Sequence, residues 1–183
     1  MAFPRSGTVD TQTFSGTKDL VLAHSSAVQN ANIGVGDHLK FDTIDYQRGA
    51  VVTTSAGAAS GGSVKLDTTT TYSNANGAAS LGRFSLQGGK VYKLDAAIGY
   101  ALFSGATGVV TLQFFDVTGT PAAIGQPMNI YTVTDAGNEN TSGDLLAIYA
   151  PGGSSQDLAL VEVRITAVTA LTSIGDPAKG VPT

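Results

Sequence analysis

Every second residue from Tyr92 to Leu102 is apolar: Tyr92, Leu94, Ala96, Ile98, Tyr100 and Leu102, with Lys93, Asp95 and Gly99 between them. Successive side chains of an extended chain point to opposite faces, so a period of two over this length predicts a half-buried strand. Gly88-Gly89 before the run and Ser104-Gly105 after it are turn residues, since glycine reaches positive φ without steric cost. Flanking segments at 83–87 and 109–116 complete three consecutive strands. A chain built around such a run is committed to β structure.

Composition agrees. Of 183 residues, 42% are apolar, enough for a real core. Only 13% are charged, against about 25% in a typical chain, so much of the surface is hidden in contacts or solvated by Thr, Ser and Asn. The 23 glycines and the short Thr, Ser and Ala runs disfavour helix and suit tight-turned strands. Further strands are expected at Leu20–Ala23, around Leu39 and Phe41, at Ala50–Thr54, around Val64 and Leu66, and at Met128–Val133, Leu145–Ala150 and Leu158–Val168. In the last, Val161, Val163, Ile165 and Ala167 share one face, Glu162 and Arg164 the other. Ser55–Gly62 is a low-complexity loop too small-sided to pack a core. About eight to ten antiparallel strands with frequent turns predict an all-β jelly-roll sandwich. Three regions follow: an extended N-terminal arm (1–35), the jelly roll (36–174) and an irregular C-terminal tail (175–183). The expected core includes Phe41, Phe84, Leu86, Tyr92, Leu94, Ile98, Leu112 and Phe114.

A net charge of −4 with scattered basic residues argues against nucleic acid. The absence of cysteine removes disulfides and thiolate metal sites and fits folding in a reducing cytoplasm. No window approaches the ~20 apolar residues of a membrane span, and no signal-peptide core is present; action outside a cell would be reached by lysis or as part of a particle. His24 and His38 lie apart, no Gly-x-Ser-x-Gly occurs, and Asp37 and His38 are adjacent, hence on opposite faces of a strand. Glutamate occurs only at Glu139 and Glu162, and Glu162 reads as a partner of Arg164. The oxygen-rich loop 135–144 lacks the ligand spacing of the twelve-residue calcium loop, and a plain solvated loop is the simpler reading. The glycine pairs precede no helix and cannot form a helix-end phosphate cradle. No enzyme activity and no cofactor are expected.

Several short motifs carry a family likeness. Leu39-Lys40-Phe41-Asp42 is followed by Gly49-Ala50-Val51-Val52, then Tyr72, a turn at Asn76-Gly77, Gly82-Arg83-Phe84-Ser85, and Gly89-Lys90-Val91-Tyr92-Lys93-Leu94. This succession resembles the trimeric jelly rolls of the tumour-necrosis-factor and complement-head type, over about a third of the chain. The aliphatic Val161–Val168 departs from the aromatic-rich last strand of that family. With its short Gly/Ala/Thr loops and apolar-dotted arm, the chain also looks like a bacteriophage capsid decoration (cement) protein. These resemblances imply a structural virion protein, a homotrimer on the outer capsid surface that binds the major capsid protein and stabilises the shell. The alternative is a receptor- or glycan-binding head of a tail fibre. Phe3, Arg5, Phe14, Leu20 and Leu22 are the expected capsid-anchoring residues of the arm. Tyr100, Phe115 and Tyr149 are the expected trimer-interface residues.

Overall fold

The computed structural model describes residues 19–29, 33–48, 53–55, 58–60, 64–68, 71–72, 82–104, 107–131, 141–154 and 157–175, with the backbone alone at 53–55, 58–60, Tyr100 and Thr141. Among these residues are twelve strands and no helix. They are β1 (Leu20–His24), β2 (Thr43–Arg48), β3 (Thr53–Ser55), β4 (Ala58–Ser60), β5 (Val64–Asp67), β6 (Arg83–Gln87), β7 (Tyr92–Phe103), β8 (Val109–Asp116), β9 (Ala122–Tyr131), β10 (Thr141–Tyr149), β11 (Leu158–Thr169) and β12 (Leu171–Ile174). The pairings are antiparallel. The all-β expectation holds.

Two sheets form a sandwich. One has five strands in the order β5-β6-β11-β8-β9; the other has three, β10-β7-β12. Their facing side chains make a single core, with Leu86, Val110, Leu112, Phe114, Ile130, Val163 and Ile165 from the larger sheet and Ala96, Ile98, Phe103, Leu145 and Ile174 from the smaller. Gln29 extends the smaller sheet, exchanging backbone hydrogen bonds of 2.8 Å in both directions with Ile174. With that segment counted, the sheets read Gln29-β12-β7-β10 and β6-β11-β8-β9, with β5 added at an edge. From β6 to β12 consecutive strands change sheets except at the β8–β9 hairpin, an order compatible with a jelly roll. Residues 36–39 fill the edge of β11 beyond β6: Gly36 N–H donates to Ile165 C=O, Ile165 N–H to Asp37 C=O, and Leu39 N–H to Val163 C=O, each at 2.8 Å.

The expected core is in place. Leu86, Ile98, Leu112 and Phe114 are buried, and Phe41, Phe84, Tyr92 and Leu94 pack against them. Element boundaries differ more. Leu39 and Phe41 lie before β2 rather than in a named strand, while Thr43–Arg48 becomes a strand because β1 pairs with it. β9 begins at Ala122, ahead of the expected Met128, and β12 was not expected. β3 overlaps the end of the expected strand Ala50–Thr54 and pairs with β4, which falls within the expected low-complexity loop.

Two strands change phase part-way. Along β7 the buried positions run Ala96 and Ile98, then Ala101 and Phe103. An irregular register near Gly99 and Tyr100, where Gly143 faces Ile98 and Thr141 faces Ala101, moves the inward face from even to odd positions. β11 does likewise after Ile165: Ala167 is exposed and Val168 packs on the core. The expected inward Leu102 and Ala167 therefore yield to Phe103 and Val168.

At Gly82 (φ 108°) a Cβ would lie 2.4 Å from the Phe41 backbone nitrogen, so the close approach of 41 to 82 requires glycine. Gly125 (φ 69°) serves the sandwich edge, where β9 passes β10 and a Cβ would lie 2.8 Å from that of Ala147. The second half of the expected arm is integrated into the domain, as β1, Ser25 and Gln29 show. Residues 1–18, Asn76-Gly77, 132–140 and 176–183 lie outside the described residues.

Candidate interaction surface

The outer face of the larger sheet carries a buried charge. Leu160, Glu162 and Arg164 alternate there along β11, yet Glu162 is only 1% exposed. Arg83 Nε donates to Glu162 Oε2 at 2.7 Å, and Arg164 Nε to Oε1 at 2.8 Å. His38 Nδ1 stands 3.9 Å from Oε2. The Arg83 guanidinium lies 4.1 Å above the Tyr72 ring, and that of Arg164 lies 5.1 Å above Phe115. Tyr72 in turn donates its hydroxyl to Asp67 at 2.8 Å. Charge-assisted bonds of this kind are strong where water is excluded, and here they bind β5, β6, β8, β11 and the 36–39 segment together. With both oxygens occupied and no solvent contact, Glu162 offers no free base to a substrate. The cluster is a clamp. The Glu162–Arg164 pair was legible in the sequence; Arg83, far away in the chain, was not.

At one end of the sandwich, Asp116, Thr118, Pro151, Gly152, Gly153, Asp157 and Leu158 line a shallow groove. Partial burial raises the Asp116 carboxyl, but the Thr118 hydroxyl, the Tyr149 hydroxyl and the Thr118 N–H together hold it below the usual range. Burial and the Asp116 charge push the Tyr149 phenol up. The Ser154 N–H (2.6 Å) and hydroxyl (3.0 Å) hold the Asp157 carboxyl down. Each carboxylate thus organises its own loop. Among the described residues no three His, Asp or Glu side chains gather as a metal-binding group, and no helix is long and apolar enough to cross a membrane.

The expected site residues fall in three groups. Phe3, Arg5 and Phe14 lie outside the described residues, and Tyr100 is in β7 with its side chain undescribed. Phe115 is half-buried beneath Arg164, and Tyr149 is engaged with Asp116. Leu20 and Leu22 sit in β1, paired opposite Arg48 and Tyr46, and are 42% and 49% exposed. They share their face with Tyr46. A second exposed apolar group, which the sequence pattern did not single out, lies on the smaller sheet: Val91 (72%), Leu146 (55%) and Ile148 (68%). Leu145 and Ala147 of the same strand are buried, so a continuous apolar run in the sequence conceals two opposite faces. Large apolar side chains grouped on exposed faces are features of interaction surfaces.

No family model matches this chain, nor does any curated protein or solved structure.

Proposed function

We propose that this protein is a non-enzymatic structural virion protein, a jelly roll of the tumour-necrosis-factor and complement-head type that decorates the outside of a bacteriophage capsid as a homotrimer. The observation that supports it is a jelly-roll sandwich whose ionisable groups are largely engaged within the chain while large apolar side chains stand exposed on two separate faces. Such a molecule acts by burying surface. Binding only the assembled shell stabilises that shell by mass action.

In this reading Phe3, Arg5 and Phe14 reach the major capsid protein, while Leu20 and Leu22 are held by the domain in β1. Each apolar anchor buried on the shell contributes ~1.5–3 kcal/mol, offset by ~1–2 kcal/mol for each backbone residue that is ordered. One arm therefore binds weakly, and three arms on one trimer bind far better through effective concentration. Light scattering should give about three times the 18.5 kDa chain mass. Sedimentation with undecorated capsids should show co-pelleting of the full chain and its loss on deleting residues 1–18. A truncated protein that binds with unchanged affinity would remove the arm from the proposal, and failure of the full chain to bind any capsid would remove decoration itself.

One observation favours the tail-fibre alternative. Lys65, Asp67, Tyr72, Ser85 and Thr118 surround a groove floored by Leu158 and Leu160, a mixture of hydroxyl, charged and apolar groups that suits a glycan. Glycan binding lost on Lys65→Ala, without capsid binding, would favour that reading.

A further inference from the structure

We propose that copies of this chain join head to tail, the exposed face of the β1–β2 ribbon on one copy packing against the outer face of β7 and β10 on the next. The inference rests on the self-association proposed above and names the surface that carries it.

The ribbon face is formed by Leu20 (42% exposed), Leu22 (49%) and Tyr46 (49%), with Arg48 directly opposite Leu20; a register shift after Leu22 places Ile44 opposite Ala23, on the other side of the ribbon. A single exposed apolar residue needs no explanation, but three large ones on one side of a two-stranded ribbon do. The ribbon's other side is already used, since Val21 packs on the core. On the smaller sheet, Asp144, Leu146 and Ile148 alternate outward along β10, and Val91 stands close by at the start of β7. Across from Leu146 and Ile148 lie Asp95 and Lys93, paired with each other at 2.8 Å.

The two faces are matched in charge. Arg48 and Asp144 are both exposed, and among the described residues neither forms an ion pair. One closes the apolar strip of the ribbon and the other closes that of β10. Docked face to face, the apolar strips cover one another and these opposite charges meet at the rim, where complementarity sets register and partner choice.

The two faces also lie on opposite flanks of the molecule. β10 runs alongside β9, the last strand of the larger sheet, whereas β1 touches β5, the first, and leads into Gln29 on the far edge of β12. They cannot meet within one copy. Two different patches on opposite flanks define a heterologous contact, in which every copy uses one face toward each neighbour, and such a contact closes into a ring when the rotation permits. Three copies is the closure the proposed function requires.

Two single substitutions test it, Leu22→Asp on the ribbon and Ile148→Asp on the sheet, both at exposed positions. Sedimentation velocity at micromolar concentration should show the native chain as a trimer and each variant alone as a monomer, an association weakened on the order of a hundredfold. An equimolar mixture of the two should form a dimer. One variant contributes an intact sheet face and the other an intact ribbon face, and the remaining damaged pair blocks ring closure. The charge swap gives an independent reading: Arg48→Asp and Asp144→Arg should each weaken the trimer, and together restore it. A native chain that is monomeric would overturn self-association as a whole. A native trimer that survives both Leu22→Asp and Ile148→Asp would overturn only this interface. Monomeric variants that fail to dimerise on mixing, with no restoration by the double charge swap, would overturn the head-to-tail arrangement.

Discussion

Glu162 shows how much one residue's role depends on its neighbours. A carboxylate taken out of water is strongly destabilising unless its charge and lone pairs are met, and here two guanidinium groups meet them. Glu162→Gln keeps the shape and removes the charge, leaving Arg83 and Arg164 facing each other through a neutral amide. Breaking a buried pair costs about 3–5 kcal/mol; because the two arginine side chains remain 17% and 21% exposed, the expected loss is about 2–3 kcal/mol. It is read as a lower urea midpoint at unchanged slope. Replacing Glu162, Arg83 and Arg164 together by apolar residues of similar volume should recover part of that loss, since no charge is then left unpaired.

At the scale of elements, Asp42 fastens the connection between β1 and β2. Its carboxylate accepts from the Ser26 N–H and hydroxyl, both at 2.7 Å, and from Lys40 at 2.5 Å. Burial raises its pKa, but these donors outweigh burial and hold it well below the carboxylate range. A folded-state value below the unfolded value near 4 means stabilisation that is fully present above about pH 4 and is lost as pH falls toward the depressed value. The melting-temperature gap between the native chain and Asp42→Asn should therefore be widest near neutral pH and narrow below about pH 4. A gap that widens on acidification would contradict this account. Gly125 of β9 and Gly99 of β7 separate by the same logic of environment. Gly125→Ala meets Ala147 and an unfavourable φ, which should destabilise by about 1–3 kcal/mol. Gly99→Ala meets nothing within 4 Å and should be near neutral in the same thermal melt.

The whole molecule is assembled from distant parts. β7 pairs with β10 and β12, and β6 with β11, so the sheets close only when segments far apart in sequence come together. Loop closure of that kind precedes the contacts that reward it, and such topologies fold in milliseconds to seconds. Stopped-flow refolding from urea should fall in that range. A microsecond phase carrying the full amplitude would imply a much more local arrangement. The two exposed apolar faces belong to this scale too, since they lie on opposite flanks that only the finished sandwich defines.

The amino-acid sequence by itself determined the fold class and most of the core. Alternation along Tyr92–Ile98 and 109–116, glycine-marked turns and poor helix propensity are local properties, and they place Ile98, Leu112 and Phe114 inside without reference to any partner. Only the tertiary structure decided which strands lie side by side, because backbone pairing is blind to side-chain pattern. Thr43–Arg48 becomes a strand through β1, and Ala58–Ser60, inside the expected loop, becomes one through β3. It also decided where the inward face changes, since an irregularity near Gly99 exchanges Leu102 for Phe103 without any mark in the alternation. The same holds for the surfaces. Leu145, Leu146, Ala147 and Ile148 form one apolar run in the sequence, and only a sheet with one face against the core turns Leu146 and Ile148 out to solvent. Arg83 joins Glu162 for the same reason: a contact between residues remote in the chain is a property of the sheet that brings them together, not of either segment.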